Sequence, residues 1–351
     1  MAWAYNKPPP PYFPGVSPPR ILLVRFSSLG DVLLTTPLIR ALRSRHPAAT
    51  ITVLTKQAWA PLLSANPHLD QVVTLAPGQS LVPLARAIRR AGFTDRLDLH
   101  ASVRTRVLRL LVPGAWHGYN TRRRERRALI TLKQDHYRDH LPVPERYFEA
   151  ARHLDVTPDG QPAELFISPA AEARAEEWLT RSGLDPALPI VAVAPGAAHA
   201  TKRWPLRHWR VLAEQLAERG YGVVVIGGNP DRMLGTEIVT AAPGAVASAA
   251  GELDLQVAGA LIRRSRVMVA GDTGPMHLAT AVGRPVVALF GPTVERFGFF
   301  PYRGPSTVLQ RDLPCRPCSS KGGPRCPLGH HECLEKIRPE AVLDAAMEFA
   351  A

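Results

Sequence analysis

Three short stretches of this chain combine residue types suited to proton transfer and to holding an anion. Ser27-Ser28-Leu29-Gly30-Asp31 sets one carboxylate beside two hydroxyls and a glycine, one residue after the strand-like run Ile21–Arg25. Asp31 stands where a helical pattern begins. It serves either as a helix cap or as a general base that takes the proton of a substrate hydroxyl. Lys202, between Thr201 and Arg203, follows the small-residue loop Pro195–Ala198. It is either an exposed charge at a helix start or a cation placed to meet a phosphate. Gly271-Asp272-Thr273-Gly274 comes before Pro275, with His277 one turn further on. Pro suits the first helical position, and small residues leave the first backbone N–H groups open to an anion. The alternative is that Asp272 or Thr273 only caps the helix.

The elements that must carry these stretches are readable as strand–turn–helix units. Ile21–Arg25, Ile51–Thr55, Gln71–Leu75 and Arg96–His100 have the short apolar character of strands, with helical patterns over Val32–Arg43, Pro83–Gly92, Arg104–Leu111 and Tyr147–Leu154. Pro37 predicts a kink or a late helix start. After a connecting region, Asp155–Leu188, with one helix around Ala171–Arg181, the same order recurs. Ile190–Ala194, Gly222–Ile226, Val267–Ala270 and Val286–Phe290 read as strands, with a helix from Leu206 to Arg219. Two such systems predict an α/β chain of two Rossmann-like domains facing each other across a cleft. The expected division is a disordered proline-rich extension over 1–19, an N-terminal domain over 20–165, and a C-terminal domain over 186–335. A final helix, 336–351, is expected to pack back toward the N-terminal domain. Ligands of open α/β sheets sit at the carboxyl ends of the strands, where all three stretches fall. The dinucleotide fingerprint G-x-G-x-x-G follows neither opening strand, which argues against a nicotinamide enzyme.

The chain has 351 residues, 46% of them hydrophobic, enough for two cores. No apolar run approaches membrane-spanning length, and no signal pattern opens the sequence, so the expected location is cytoplasmic. The net charge of +13 favours anionic partners. Part of it is concentrated in Arg122–Arg127, a basic run expected in a loop, which is either a solvated face or a phosphate contact. All four cysteines lie in the loop 315–333. Cys315 and Cys318 have a metal-knuckle spacing that Cys326 and Cys333 would complete as a structural zinc or iron site; four reduced thiols are the other reading.

Taken in order, Arg25-Phe26-Ser27-Ser28-Leu29-Gly30-Asp31, His199–Trp209 (HATKRWPLRHW) and Gly271–His277 (GDTGPMH) resemble the heptosyltransferase family, glycosyltransferase family nine. The resemblance runs from Ile21 to the C-terminus. It implies the GT-B architecture and transfer of heptose from ADP-heptose to the inner core of lipopolysaccharide, with inversion and without a catalytic metal. An Asp-x-Asp motif is absent. By the resemblance Asp31 is the catalytic base and Lys202 holds the diphosphate. Thr201, Arg203, Gly227, Asp231, Asp272, Thr273, Gly274 and His277 line the nucleotide-sugar site. Ser27, Ser28 and Gly30, with Arg122, Arg123 and Lys133, are expected at the anionic acceptor or at an acidic membrane face. The implied setting is the cytoplasmic face of the inner membrane, held peripherally, with no nucleic acid as partner. One departure stands out: the family's ribose-binding carboxylate near the end of Gly222–Ile226 has only Asp231 as a substitute. Competing readings are the same fold acting on a protein or another glycan, a sugar-nucleotide epimerase, and a basic nucleic-acid binder with a four-cysteine metal finger.

Overall fold

The computed structural model describes residues 18–350. The proline-rich extension therefore lies outside the described residues except for Pro18 and Pro19. The chain divides into two units, one comprising 18–121 and Val143–Phe166, the other Arg122–Pro142 and 167–350.

The first unit is built on five parallel strands: β1 (Arg20–Val24), β2 (Thr50–Lys56), β3 (Gln71–Leu75), β4 (Asp95–Asp98) and β5 (His117–Gly118). They are ordered β3-β2-β1-β4-β5. The second holds six: β6 (Ile190–Ala194), β7 (Gly222–Val225), β8 (Val246–Ser248), β9 (Val267–Gly271), β10 (Val286–Phe290) and β11 (Ser306–Gln310). Their order is β11-β10-β9-β6-β7-β8, again all parallel. Central strands such as β1, β6, β9 and β10 are near-continuous Val, Ile, Leu and Ala, as a sheet covered on both faces requires. In each sheet the chain reverses its direction of winding once. The reversal lies between β1 and β4 in the first unit and between β6 and β9 in the second. Crevices at such reversal points are where open α/β sheets take ligands.

Three strands, β5, β8 and β11, carry no clear sequence signal. All three are edge strands, paired on one side only, and β11 is nowhere fully buried. Pro37 marks a late start rather than a kink. The chain makes a short helix, Leu29–Leu33, turns, and begins a second at Thr36 with Pro37 in its first turn. The Thr35 and Thr36 hydroxyls donate back to the carbonyls of Val32 and Leu33, which satisfies the last turn of the first helix. The basic run expected in a loop is helical instead, over Arg123–Thr131, with no buried residue. Its long straight side chains favour a helix, and sparse apolar content hides the period. The final helix, Pro339–Ala350, belongs to the second unit. Its main contacts are with the helix Leu206–Glu218 and strands β9 and β10 of the second unit, and Val342, Leu343 and Ala346 join that unit's core.

Candidate functional site

Asp31 is reached from the carboxyl end of β1. Ser28 occupies the N-cap of Leu29–Leu33, and its backbone N–H and hydroxyl both donate to Asp31 Oδ2, at 3.0 and 2.8 Å. The capping role is therefore real. It does not exhaust the side chain, because Oδ1 lies 2.5 Å from the Arg25 guanidinium. Arg25 is itself buried and tied on every side. Its Nε donates to Ser27 O at 2.9 Å, one terminal nitrogen donates to Leu99 O, and its guanidinium lies over the Tyr147 ring at 5.7 Å. Burial would raise the Asp31 carboxyl. The Arg25 charge and the two Ser28 bonds outweigh it, and the group is held below the ordinary carboxylate range. Asp31 is thus an ionised, oriented acceptor at neutral pH. Each carboxylate oxygen has two lone-pair sites, so Oδ1 keeps one beyond its Arg25 contact.

His100, just past β4, completes this corner. Its ring meets Phe26 edge-on at 5.8 Å. Burial first, then the Arg25 charge, pushes its pKa down to about 4, so the imidazole is neutral at pH 7. Its buried Nδ1 has no hydrogen-bond partner. Neither Arg25 nor His100 stands out as a site residue in the sequence. Their role appears only when parallel pairing sets β4 beside β1.

In the second unit, two other predicted stretches come together at the β6/β9 reversal. Lys202 Nζ lies 2.6 Å from Asp272 Oδ2 and donates to the Asp272 carbonyl at 3.0 Å. Asp272 Oδ2 also accepts from the Thr293 hydroxyl at 2.5 Å. Thr273 is the N-cap of Gly274–Ala281, but no side chain caps that helix; the Thr273 hydroxyl turns back to Gly271 O. Pro275 has no N–H, but Gly274 at the helix start has no intrahelical acceptor for its own, and the macrodipole adds partial positive charge there. His277 is buried one turn on. A Cβ on Gly271 would meet the Lys202 carbonyl at 3.1 Å, so a small residue is needed for the two loops to approach.

The remaining predicted residues support this cradle more than they line it. Arg203 Nε donates to Ala197 O at 2.9 Å and fixes the Gly196 loop. Thr201 is tied to Gly323 by its backbone N–H and by its hydroxyl, which accepts from Gly323 N at 2.8 Å. The Asp231 carboxylate accepts from Gly228 N at 2.9 Å and lies against Gly196 and Gly227, where no larger residue has room. This puts a carboxylate between the ends of β6 and β7.

Arg122, Arg123 and Lys133 fall in the segment grouped with the second unit, whereas Ser27, Ser28 and Gly30 lie in the first. Arg122 pairs with Asp139 at 2.8 Å. Lys133 Nζ donates to the carbonyls of Cys315 and Pro317, at 2.9 and 2.7 Å, so its charge holds the cysteine loop.

The metal reading of that loop is not supported. Among the described residues no group of three or more His, Cys, Asp or Glu is placed to hold a metal ion. The four cysteines are free, and Cys333 is buried in the core beside Leu334 and Ile337. Burial first, then the neighbouring thiols, pushes Cys333 up to about 11, which keeps it protonated. The stapling is done by hydrogen bonds. Besides Lys133, Arg316 donates to Gly291 O at 2.5 Å and Thr293 O at 2.8 Å, and His331 Nε2 meets Thr201 O at 3.0 Å. Thr293 and Arg316 had no sequence signal, since each is recognisable only by what it touches.

Comparison with known proteins bears directly on this arrangement. The sequence profile described as glycosyltransferase family 9 (heptosyltransferase) matches residues 81–327. Lipopolysaccharide heptosyltransferase 2 of Escherichia coli K12 is 29% identical, over 93% of this chain and 97% of that protein. Among solved structures, the family 9 glycosyl transferase of Veillonella parvula superposes with a TM-score of 0.79 at 25% identity, covering 96% of this chain and 98% of the other. ADP-heptose lps heptosyltransferase II of E. coli does so with a TM-score of 0.74 at 26% identity, covering 94% and 98%. The α/β fold is of the GT-B class, as the sequence resemblance implied.

Proposed function

This chain belongs to glycosyltransferase family 9, the heptosyltransferases, and from that premise we propose that it moves heptose from ADP-heptose to the inner core of lipopolysaccharide, inverting the anomeric centre. The relatives' names give heptosyltransferase, ADP-heptose and lipopolysaccharide, and the Asp31 corner offers chemistry for such a transfer. The acceptor oxygen attacks the anomeric carbon and gives its proton to the Asp31 carboxylate, while the bond from that carbon to the diphosphate oxygen breaks. ADP leaves with the charge that accumulates on the diphosphate. Lys202 and the open amides at Thr273-Gly274 meet that charge. For this Lys202 exchanges Asp272 for the diphosphate, an exchange that a flexible ammonium makes readily. Asp231 takes the nucleoside ribose hydroxyls in place of the family's usual carboxylate.

The observation that carries the reading is Asp31 held as an ionised carboxylate with a lone pair to spare. Ser27, Ser28 and Gly30 shape the acceptor side, and Arg122 and Arg123 meet acceptor phosphates. The reaction takes place at the cytoplasmic face of the inner membrane with the protein held there peripherally. Among the described residues no helix is long and apolar enough to cross a membrane. The test is to incubate the purified protein with ADP-heptose and Kdo-lipid A, and separately with protein acceptors. Stereochemically defined heptosyl product on the lipid is expected. Product on protein alone, or ADP release without product, would overturn the reading.

A further inference from the structure

The helix Val103–Leu111 (VRTRVLRLL) follows β4 at the carboxyl edge of the first sheet. Thr105 and Leu108 point into the unit and are fully buried. Val103, Val107 and Leu110 point the other way, with exposures of 76%, 40% and 83%. At about 100° per residue these three lie within about 60° of one another, opposite the buried side. On the same wheel Arg106 and Arg109 flank them on one side and Arg104 on the other. Arg104 lies over the Phe26 ring at 5.9 Å, and Arg109 is 3.8 Å from Asp98 Oδ2. The adjoining helix Leu81–Arg90 packs against this one and adds exposed Arg86, Arg89 and Arg90. Neither helix contains an Asp or a Glu.

Water-facing apolar side chains at the apex of a helix, with cations on both flanks, match a surface that is greasy inside and anionic outside. A second copy of this chain is a poor occupant, because a two-fold contact would set arginine against arginine. We propose that Val103–Leu111, with the arginines of Leu81–Arg90, seats the protein on an anionic bilayer. Val103, Val107 and Leu110 enter the headgroup boundary and the arginines contact lipid phosphates. The proposal rests on the reading above for its biological setting, since a lipid-anchored acceptor must be met at a membrane. It places the contact on a different helix from the basic run Arg122–Arg127. The docking helix begins at the same sheet edge as the Asp31 loop.

The test is co-sedimentation of the full-length protein with vesicles of phosphatidylcholine alone or mixed with phosphatidylglycerol. The wild type is expected to partition onto the mixed vesicles about tenfold more strongly, and less so as salt rises. Val107→Glu/Leu110→Glu should lose that gain; both positions face water, so the fold is retained, and an unchanged circular-dichroism melt checks it. Arg86→Gln/Arg106→Gln should weaken binding to the mixed vesicles only. Equal binding by the wild type and the glutamate variant overturns the proposal, as does a wild type that ignores both vesicles. So does a wild-type dimer in sedimentation velocity that the glutamate variant dissolves, with no vesicle binding by either. These vesicles contain no sugar acceptor, so the outcome is independent of whether heptose transfer is observed.

Discussion

In the first unit the more deeply buried member of the functional ion pair is the cation: the Arg25 side chain is 9% exposed and Asp31 16%. In the second unit the polarity is reversed, with Asp272 at 9% and Lys202 at 14%. Each pair sits at the reversal point of a parallel sheet, and in each the inner partner is anchored by groups the outer one does not touch. Arg25 is held by Ser27 O and Leu99 O, and Asp272 by Thr293. The difference lies in what the outer partner is free to do. A guanidinium stays charged and makes a rigid fork, so Arg25 fixes both the position and the ionisation of Asp31. An ammonium on a four-carbon stem is a movable point charge, so Asp272 holds Lys202 without locking it. On the function proposed above, the first corner would accept a proton and the second would release a cation toward an arriving anion.

The contrast breaks most sharply at the outer partners. Asp31→Ala should lower kcat by about 10²-fold or more while ADP affinity stays nearly intact, because it removes the proton acceptor and nothing from the cradle. Calorimetry with ADP beside a turnover assay checks this; near-wild-type turnover would show that Asp31 only caps its helix. Lys202→Ala should cost on the order of 10²-fold in kcat, by analogy with loss of an oxyanion donor, and should also weaken ADP binding.

Arg25→Met tests the inner partner of the first pair. It should destabilise by about 3–5 kcal/mol, since it strands a buried carboxylate. It also has a signature in pH. In the wild type the Asp31 carboxyl lies below its unfolded value, so its share of stability is present above that value and is lost as pH falls through the folded pKa. The acidic limb of kcat/KM from this group accordingly lies below the ordinary carboxylate range. Without Arg25, burial dominates and the limb should move toward neutral pH. If the limb stayed in place, Arg25 would not set the charge state of Asp31.

Thr293→Val should cost only about 1 kcal/mol, the net worth of one hydrogen bond, and should raise KM for the nucleotide sugar more than it lowers kcat. The effect expected at His100 is confined to acid pH. Its folded pKa of about 4 lies below the ordinary histidine value near 6.5, so the unfolded chain binds more protons between them. Stability therefore falls as pH drops from about 6.5 to about 4. His100→Asn should flatten that part of a chemical-denaturation series, and an unchanged slope would remove His100 from the corner.

Much of the fold was legible because central strands advertise themselves. β1, β6, β9 and β10 are unbroken apolar runs, each followed by turn residues and, for all but β10, by a helical pattern. The strands that escaped notice are short edges whose sequences (HG, VAS and STVLQ) break or shorten the apolar run. Asp31, Lys202 and Asp272 could be picked out because each lies in a strand–turn–helix handover, a local feature. The cysteine loop misled for the opposite reason. A spacing that suits a metal says nothing of how four thiols are oriented: Cys333 has the other thiols as neighbours, but it is buried in the core cluster, and no metal-holding group forms among the described residues.

The sequence by itself determined the α/β class, the two repeated windings and the turns that present Asp31 and Thr273, since these follow from contacts within a few residues. Only the tertiary structure decided the partners: Arg25 with Leu99, Lys202 with Asp272, Asp272 with Thr293, and Arg316 beneath the cradle. Those pairs are separated by 74, 70, 21 and 23 residues. Sheet order, not local pattern, brings such groups within reach, and the charge state of each depends on the neighbour it finds there.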